Sequence, residues 1–270
     1  MTNLSIDEQA QLRQTAHALA DAARAATLPY FRKLGLSADN KDAAGFDPVT
    51  AADRGSEQAM RAILARERPQ DGILGEEFDD VAGSSGLTWV LDPIDGTRGF
   101  ISGTPTWGVL IALSNADGPI YGIVDQPYIG ERFEGGFGVA QMTGPQGAHA
   151  LQVCDGQGLE AATLFTTFPE VGTDADRAGF EAVRDRVQLV RYGMDCYAYA
   201  LLAQGQIDLV VEAGLQAYDI QAPMAVVQAA GGFVTNWRGQ PVHEGGQVIA
   251  ASSAGLHAEA LALLAPYAHD

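Results

Sequence analysis

Two aspartates three positions apart follow a short apolar run in this chain of 270 residues. They belong to residues 92–97, which read DPIDGT and come directly after residues 89–91, which read WVL. Ligand sites in open α/β sheets lie beyond the carboxyl ends of strands, and the apolar run has the composition of a buried strand. Pro93 fixes φ and bends the chain. We therefore expect the carboxylates of Asp92 and Asp95 to converge on one point.

The two residues that follow these aspartates suit a phosphate group. Gly96 lets the backbone approach an anion closely, and a helix that starts just after it would direct free N–H groups to the same place. Thr97 adds a hydroxyl there. Carboxylates beside a phosphate repel it unless a cation lies between them, and oxygen ligands favour Mg²⁺ or Mn²⁺ over zinc. The segment thus predicts a magnesium-dependent phosphate site, although Asp-Pro and Asp-Gly are also common in turns.

Three further acids stand in an order that could complete such a site. Glu76 follows the apolar run at residues 72–75, Asp219 precedes a predicted helix, and Asp53 lies near the start of another. Each has a simpler explanation when taken alone: a solvated turn for Glu76, an N-cap for Asp219 and a helix-start charge for Asp53. Their joint order is what favours the metal site.

The order of these residues resembles the signature of the inositol monophosphatase superfamily from about residue 5 to residue 265. The matching positions are Asp47, Val49, Thr50, Asp53, Gly75, Glu76, Glu77, residues 92–97 and Asp219. The resemblance implies that two or three Mg²⁺ ions are bound. The ligands that it implies are the side chains of Glu76, Asp92, Asp95 and Asp219 and the backbone carbonyl of Ile94. Arg98 follows the motif here, where many members carry other residues.

The resemblance also implies a mechanism in which water displaces the ester group in line, without a phospho-enzyme. Asp53 and Thr97 then activate the attacking water, and Glu76 belongs to the catalytic set as well as to the metal ligands. The N–H groups of Gly96 and Thr97 bind the phosphoryl oxygens. Because the carboxylates must be ionised, activity should fall at acid pH.

Two stretches, residues 89–113 and 191–215, resemble the histidinol-phosphatase branch of this superfamily. Histidinol phosphate carries an ammonium group and an imidazole, and opposite charge in a partly desolvated pocket is worth more than at the surface. The resemblance places Asp195 beside the substrate, and we expect Asp195 and Glu212 to hold its cationic groups. Gly193 is assigned to the same substrate site. The alternatives are that Asp195 is an N-cap and that Glu212 merely ends a strand.

The composition limits the partners of this chain. Its formal net charge is −18, which argues against nucleic acid and anionic lipid and suits divalent cations and cationic small molecules. No apolar run reaches the roughly 18 residues of a membrane span. The N-terminal residues lack the basic start and the apolar stretch of a secretory signal. With only two cysteines, a reducing cytoplasm is the expected location.

Hydrophobic periodicity and turn signals predict an α/β fold of layered helices and mixed sheets, with an antiparallel meander over the apolar stretches between residues 107 and 139. The predicted helices cover residues 5–33, 50–68, 175–186, 195–204, 220–230 and 256–265. The predicted strands cover residues 72–75, 88–91, 107–113, 119–125, 131–139, 187–190, 207–211, 232–235 and 247–251, and a mobile loop is expected at 34–48. The resemblance implies αβαβα layers in one catalytic unit over 1–270, with a metal- and phosphate-binding half at 1–145 and a substrate-specificity half at 146–270.

These observations leave three hypotheses. The first is a histidinol-phosphatase of histidine biosynthesis that acts, as a homodimer, on a small cationic phosphate ester. The second is a phosphatase of the same fold that hydrolyses inositol 1-phosphate or another sugar or nucleotide phosphate, since a fold does not fix the substrate. The third is a non-catalytic protein that binds Mg²⁺ or a phosphorylated metabolite. Asp53, Glu76 and Thr97 argue against the third, because binding alone needs no water-activating pair.

Overall fold

The computed structural model describes residues 4–33, 50–156 and 158–269 in full, and the backbone pairing of residues 39–40 with 48–49. Asp47 and most of the loop expected at 34–48 lie outside the described residues. The α-helices are α1 (Ile6–Thr27), α2 (Ala51–Glu67), α3 (Thr97–Ser102), α4 (Asp174–Arg184), α5 (Asp195–Ala203), α6 (Ala217–Ala229) and α7 (Ala254–Leu264). The strands are β1 (Asp39–Asn40), β2 (Pro48–Val49), β3 (Gly72–Gly75), β4 (Thr88–Asp95), β5 (Gly108–Asn115), β6 (Gly118–Gln126), β7 (Glu131–Gly136), β8 (Val139–Gly144), β9 (Gly147–Ala150), β10 (Thr163–Thr166), β11 (Leu189–Tyr192), β12 (Leu209–Gln216), β13 (Phe233–Thr235) and β14 (Gly245–Ala251).

A seven-stranded sheet contains the strands from β3 to β9 in chain order. β3 and β4 run parallel, and from β4 onwards each strand pairs antiparallel with the next. The predicted meander is confirmed, but the strand predicted at 131–139 is two strands. Phe137 and Gly138 separate them with positive φ angles of 52° and 76°, the combination that a tight hairpin turn requires.

A five-stranded sheet has the strand order β11-β10-β12-β14-β13. β10 runs parallel to both β11 and β12, whereas β14 runs antiparallel to β12 and β13. No strand was predicted at β10, although its residues are mostly β-branched and aromatic. Because β10, β11 and β12 end at the same edge of the sheet, the residues that follow them lie close together.

Helices separate and cover the two sheets. α1 and α2 pack against one face of the seven-stranded sheet, α5 and α6 lie between the sheets, and α4 and α7 pack against the far face of the five-stranded sheet. The predicted αβαβα order is confirmed. In the described part of the chain no helix combines the length and the apolar character needed to cross a membrane.

Prolines and caps explain where two helices differ from their predicted bounds. α1 ends at Thr27 and not near residue 33, because Pro29 has no N–H to donate to the preceding turn. α6 begins three residues earlier than predicted, with Gln216 as its N-cap and Asp219 completing a capping box. Pro223 lies inside α6 and has no N–H to bond to the carbonyl four residues earlier.

α6 is buried around most of its surface because both sheets pack against it. The backbone of α6 lies very close to the seven-stranded sheet at two glycines of that sheet. A Cβ on Gly122 would lie 2.6 Å from the carbonyl oxygen of Ala222, and a Cβ on Gly135 would lie 2.5 Å from the Cα of Val226. Since α6 carries Asp219 in its first turn, this packing fixes where that carboxylate lies.

Replacing Gly135 with Ala should lower the free energy of unfolding by about 1–3 kcal/mol, because the new methyl group overlaps the backbone of α6. Gly55→Ala in α2 is the matched control, since no heavy atom lies within 4 Å of a Cβ at that position. Alanine there should stabilise the helix by about 0.5–1 kcal/mol. Chemical denaturation measures both changes, and equal stability of G135A and the wild type would contradict the close packing.

Candidate active site

Parallel strands bring two of the predicted acids to one edge of the seven-stranded sheet. β3 and β4 run parallel, and Gly75 pairs with Leu91 near their ends. The next residues along the two strands are Glu76 and Asp92, and the N–H of Glu76 donates to the carbonyl of Leu91 over 3.2 Å. Both acids line the same cavity. They therefore lie side by side, as the sequence predicts.

A shift of register near the end of β4 brings Asp95 to the same place. β4 continues to Asp95 and does not end at Leu91, and its pairing with β5 shifts between Asp92 and Asp95. The backbone N–H of Ile94 donates to Asp92 Oδ1 over 2.9 Å. The backbone N–H of Cys196 donates to Asp95 Oδ2 over 2.6 Å. These two contacts hold the carboxylates in position.

Asp219 joins them from the first turn of α6. Its Oδ2 accepts a hydrogen bond of 2.6 Å from the N–H of Gln216, so the capping box that starts the helix also orients this carboxylate. Carboxylate oxygens of Asp92, Asp95 and Asp219 lie within 4.8 Å of one another. Within the described ranges, these three acids form a group that could hold a metal ion.

The acids of this metal cluster (Asp92, Asp95 and Asp219) repel one another. Burial is the main cause that raises the pKa of Asp92 well above its usual value, and the charges of Glu76 and of the other cluster acids raise it further. The pKa of Asp95 is also raised well above its usual value, first by burial and then by Asp195 and Asp219. A divalent cation would relieve this repulsion, and donors that are all oxygens suit Mg²⁺. The residues present therefore fit the expected metal.

Asp53 and Thr97, the predicted water-activating pair, are in contact. Thr97 is the first residue of α3, so a helix does start directly after Gly96. The Thr97 hydroxyl lies 3.4 Å from Asp53 Oδ1 and 3.1 Å from the carbonyl oxygen of Ile94. Thr50 donates to Asp53 Oδ2 from its N–H and its hydroxyl, at 2.9 and 2.5 Å. Burial raises the pKa of Asp53, which makes its carboxylate a stronger base.

The five-stranded sheet delivers two more acids to this place. Glu212 lies within β12, not at its end, and is 6% exposed. Its Oε1 accepts from the N–H and the hydroxyl of Thr167 at 2.7 and 2.9 Å, and its Oε2 accepts from the hydroxyl of Thr166 at 3.2 Å. Burial raises the pKa of Glu212 to about 7. Burial likewise raises the pKa of Asp195, which follows β11, to about 6.

Asp195 is held against the start of α3. It is the first residue of α5, with a φ of 46°, and the N-cap is Met194. Asp195 is therefore not the N-cap that the sequence allowed as an alternative. A Cβ on Gly96 would lie 2.8 Å from Asp195 Cγ, so the absence of a side chain at Gly96 allows this close approach. The hydroxyl of Thr106 donates to Asp195 Oδ2 over 3.4 Å.

Gly193 was the third residue assigned to the substrate, but the cavity that holds the described acids is not lined by it. Its N–H donates to the carbonyls of Thr166 and Thr167 at 3.2 and 3.0 Å. It thus ties the segment after β11 to the end of β10, which positions Asp195. A direct contact of Gly193 with the substrate stays a prediction.

A cavity of about 320 Å³ gathers these acids from both sheets. The predicted site residues that line it are Glu76, Asp92, Ile94, Asp95, Gly96, Thr97, Asp195, Glu212 and Asp219. Asp53 does not line the cavity, but it contacts the hydroxyl of Thr97, which does. Sequence patterns did not point to Thr167, Phe168 or residues 213–215, which also line the cavity. The β-branched and aromatic run at 163–167 was the signal that could have placed Thr167 and Phe168 at a strand end.

The whole chain resembles proteins of one family. The sequence model of the inositol monophosphatase family matches residues 8–269. The chloroplastic bifunctional phosphatase IMPL2 of Arabidopsis thaliana is 38% identical over 96% of this chain and 77% of that protein. The histidinol-phosphatase of Streptomyces coelicolor is 36% identical over 92% of this chain and 95% of that protein. A solved structure of an inositol monophosphatase from Zymomonas mobilis is 39% identical, with a TM-score of 0.84 over 97% of this chain and 99% of that one.

The matched range includes both sheets and every acid of the cavity. The carboxylate cluster and the contact between Asp53 and Thr97 supply the parts that metal-dependent hydrolysis of a phosphate ester requires. This chain accordingly belongs to the inositol monophosphatase family of metal-dependent phosphatases.

Proposed function

We propose that this protein hydrolyses L-histidinol phosphate to L-histidinol and phosphate, with Mg²⁺ as its cofactor, as a step of histidine biosynthesis. The observation that carries this proposal is the pair of acids Asp195 and Glu212, which line the same cavity as the metal cluster. Relatives named histidinol-phosphatase, at 36% identity over 92% of the chain, support the same substrate.

The two acids favour an ester whose alcohol part is cationic. Both have raised pKa values because burial disfavours their charged forms. Of the described residues that line the cavity, Arg98 is the basic one, and its charge acts on Asp195. An ammonium group that enters the cavity would compensate the charge of both acids at low local dielectric, where such a contact is strongest. Histidinol phosphate brings that group, whereas a neutral polyol phosphate does not.

The residues of the chain have separate tasks in the proposed reaction. Mg²⁺ held by the metal cluster and Glu76 would neutralise these acids and polarise the water and the phosphoryl oxygens. Thr97 Oγ1 donates its proton to Asp53 Oδ1, so that the lone pairs of the hydroxyl oxygen accept a proton from the attacking water. The raised pKa of Asp53 suits it to receive the proton of the Thr97 hydroxyl while that hydroxyl takes one from the water and the water oxygen attacks phosphorus. The N–H groups of Gly96 and Thr97 stabilise the phosphoryl charge, and the ester oxygen leaves as an alcohol after it takes a proton from solvent.

The second candidate substrate is inositol 1-phosphate, because the similar Zymomonas mobilis structure is that of an inositol monophosphatase. Its hydroxyls would hydrogen-bond to Asp195 and Glu212 but would leave the charge of these acids uncompensated. The third hypothesis, a non-catalytic binding protein, is disfavoured by the contact between Thr97 and Asp53. The homodimer, the cytoplasmic location and the division into a metal-binding half and a specificity half stay predictions.

With Mg²⁺ present, the purified protein should hydrolyse histidinol phosphate with a kcat/KM at least about tenfold above that for inositol 1-phosphate or fructose 1,6-bisphosphate. One hydrogen bond between the ammonium group and a carboxylate of the cavity accounts for a difference of this size. A phosphate-release assay over the three esters measures the preference. D95N, prepared in parallel, should be inactive and so excludes contaminating phosphatases. A preference for inositol 1-phosphate would replace the proposed substrate with the second candidate.

Replacing Asp195 with Asn should lower kcat/KM for histidinol phosphate by about 10- to 100-fold, because a charge-assisted hydrogen bond is worth about 1.5–3 kcal/mol. Asn is the right replacement because it keeps the shape of Asp and tolerates the left-handed φ of this residue. Activity on glycerol 2-phosphate, whose alcohol is neutral, should change far less. D117N, which removes a charge from an exposed turn, is the control variant. Equal losses on both esters would leave Asp195 with a structural role alone.

The preference for the cationic ester should depend on pH through Glu212. Its pKa of about 7 means that the carboxyl group is mostly neutral at about pH 6 and mostly charged at about pH 8. The ratio of kcat/KM for histidinol phosphate to that for glycerol 2-phosphate should therefore rise by up to about tenfold over this interval. E212Q cannot ionise at this position, so its profile gives the contribution of the substrate's own imidazole together with that of Asp195, whose pKa is about 6. Superimposable profiles for E212Q and the wild type would contradict this role.

A further inference from the structure

We propose that a slot for a planar ring lies beside the acids of this cavity, formed by Phe168 and the backbone bulge at residues 213–214. The proposal rests on the proposed phosphatase activity of the same site, and it narrows the substrates to esters whose alcohol part carries a flat ring. Neither segment belongs to the metal cluster or to the pair of Asp53 and Thr97.

Phe168 is a large apolar side chain that the fold leaves in contact with water. It lines the cavity and is 41% exposed. The guanidinium carbon of Arg98 lies 4.7 Å from the centroid of its ring, and this cation–π contact orients the ring. Contact of a second ring with the remaining exposed surface would remove apolar area from water, which is favourable.

A bulge in β12 supplies the second part of the slot. The pairing of β12 with β14 is interrupted between Glu212 and Leu215, so residues 213–214 leave the regular ladder. Gly214 has a φ of 81°, and no heavy atom lies within 4 Å of a Cβ built on it. Ala213, Gly214 and Leu215 all line the cavity. The bulge thus presents a small, apolar stretch of backbone to the cavity.

The strand register places these two parts next to each other. β10 and β12 run parallel, and Phe165 pairs with Val210. Phe168 and Ala213 are each three residues further along the chain, Ala213 within β12 and Phe168 two residues after the end of β10. Thr167 and Glu212 each come one residue before Phe168 and Ala213. The N–H of Thr167 donates to Glu212 Oε1 over 2.7 Å, so the two segments are still adjacent at that point. A ring in the slot would therefore lay its face on Phe168 while its edge points to Glu212.

This arrangement suits an imidazole better than an inositol ring. An imidazole has a flat face for Phe168 and N–H groups at its edge, which can donate to a carboxylate. The saturated ring of inositol is puckered and carries a hydroxyl on every carbon, so it offers no flat apolar face. The slot therefore discriminates on the shape of the alcohol part, whereas Asp195 discriminates on its charge.

Phe168→Leu is the variant that tests the slot, because it keeps an apolar side chain and removes the ring. The matched control is F233L, since Phe233 is also 41% exposed but lies on the edge strand β13. F168Y, which keeps a ring, should behave like the wild type. The substrates are two esters with rings, histidinol phosphate and phenyl phosphate, and two without, phosphoethanolamine and glycerol 2-phosphate. In F168L the kcat/KM for both ring esters should fall about 5- to 10-fold relative to the ringless esters, mainly through KM.

Each outcome of this experiment decides one question. A loss in F168L that is equal for ring and ringless esters, or no loss at all, overturns the slot even if histidinol phosphate proves to be the substrate. A selective loss on phenyl phosphate supports the slot even if the wild type fails to hydrolyse histidinol phosphate, and in that case only the proposed substrate falls. A loss in F233L as large as that in F168L would also overturn the slot.

Discussion

Repulsion among closely spaced carboxylates, one buried and two half-buried, is the constraint on which the rest of this structure depends. Asp92 and Asp95 have pKa values well above normal because burial and neighbouring acids disfavour their charge. Acids that approach this closely destabilise the fold unless other contacts offset the cost. Here each acid of the metal cluster accepts a hydrogen bond from a backbone N–H, and the donors are Ile94, Cys196 and Gln216. The protein thus fixes the positions of these acids, and a bound divalent cation would remove the remaining repulsion.

The three N–H donors belong to different elements, so the metal cluster depends on the packing of the whole protein. One lies in β4, one in the first turn of α5 and one directly before α6. α5 and α6 are packed between the two sheets, and α6 approaches the seven-stranded sheet so closely that Gly122 and Gly135 can carry no side chain without movement of the backbone. A buried central layer is rigid. It can therefore hold like charges together, which a mobile surface loop could not.

Local sequence patterns predicted the parts of the site whose signals lie within one segment. Residues 89–97 combine an apolar strand, a proline and a glycine, and the structure brings the carboxylates of Asp92 and Asp95 together as expected. Phe168 and the bulge at 213–214 could not be predicted in this way, because strand register between distant segments places them. The positive φ of Asp195 accompanies its packing against Gly96, which is distant in the chain. Patterns in one segment do not encode such contacts.

The same distinction holds for the fold. The meander follows from turn signals and hydrophobic periodicity, whereas the layer order was implied by the family resemblance, and both are confirmed. The single strand predicted at 131–139 was wrong because Phe137 takes a positive φ, which its residue type does not indicate. The missed β10 has only four residues, which is short for recognition by alternation alone.

Residues 195–196 affect both metal binding and substrate choice, whereas Phe168 and Glu212 affect substrate choice alone. Asp195 and Cys196 are consecutive, and the first faces the alcohol part of the proposed substrate while the N–H of the second holds Asp95. A substitution that moves the start of α5 would therefore disturb a metal ligand as well. Glu212 is held by threonines of the neighbouring strand, and Phe168 follows the same strand, so neither is bonded to the metal cluster. It follows that the shape of the accepted alcohol can change at residues 168 and 212–214 without loss of catalysis, whereas a substitution at Asp195 that moves the start of α5 affects both.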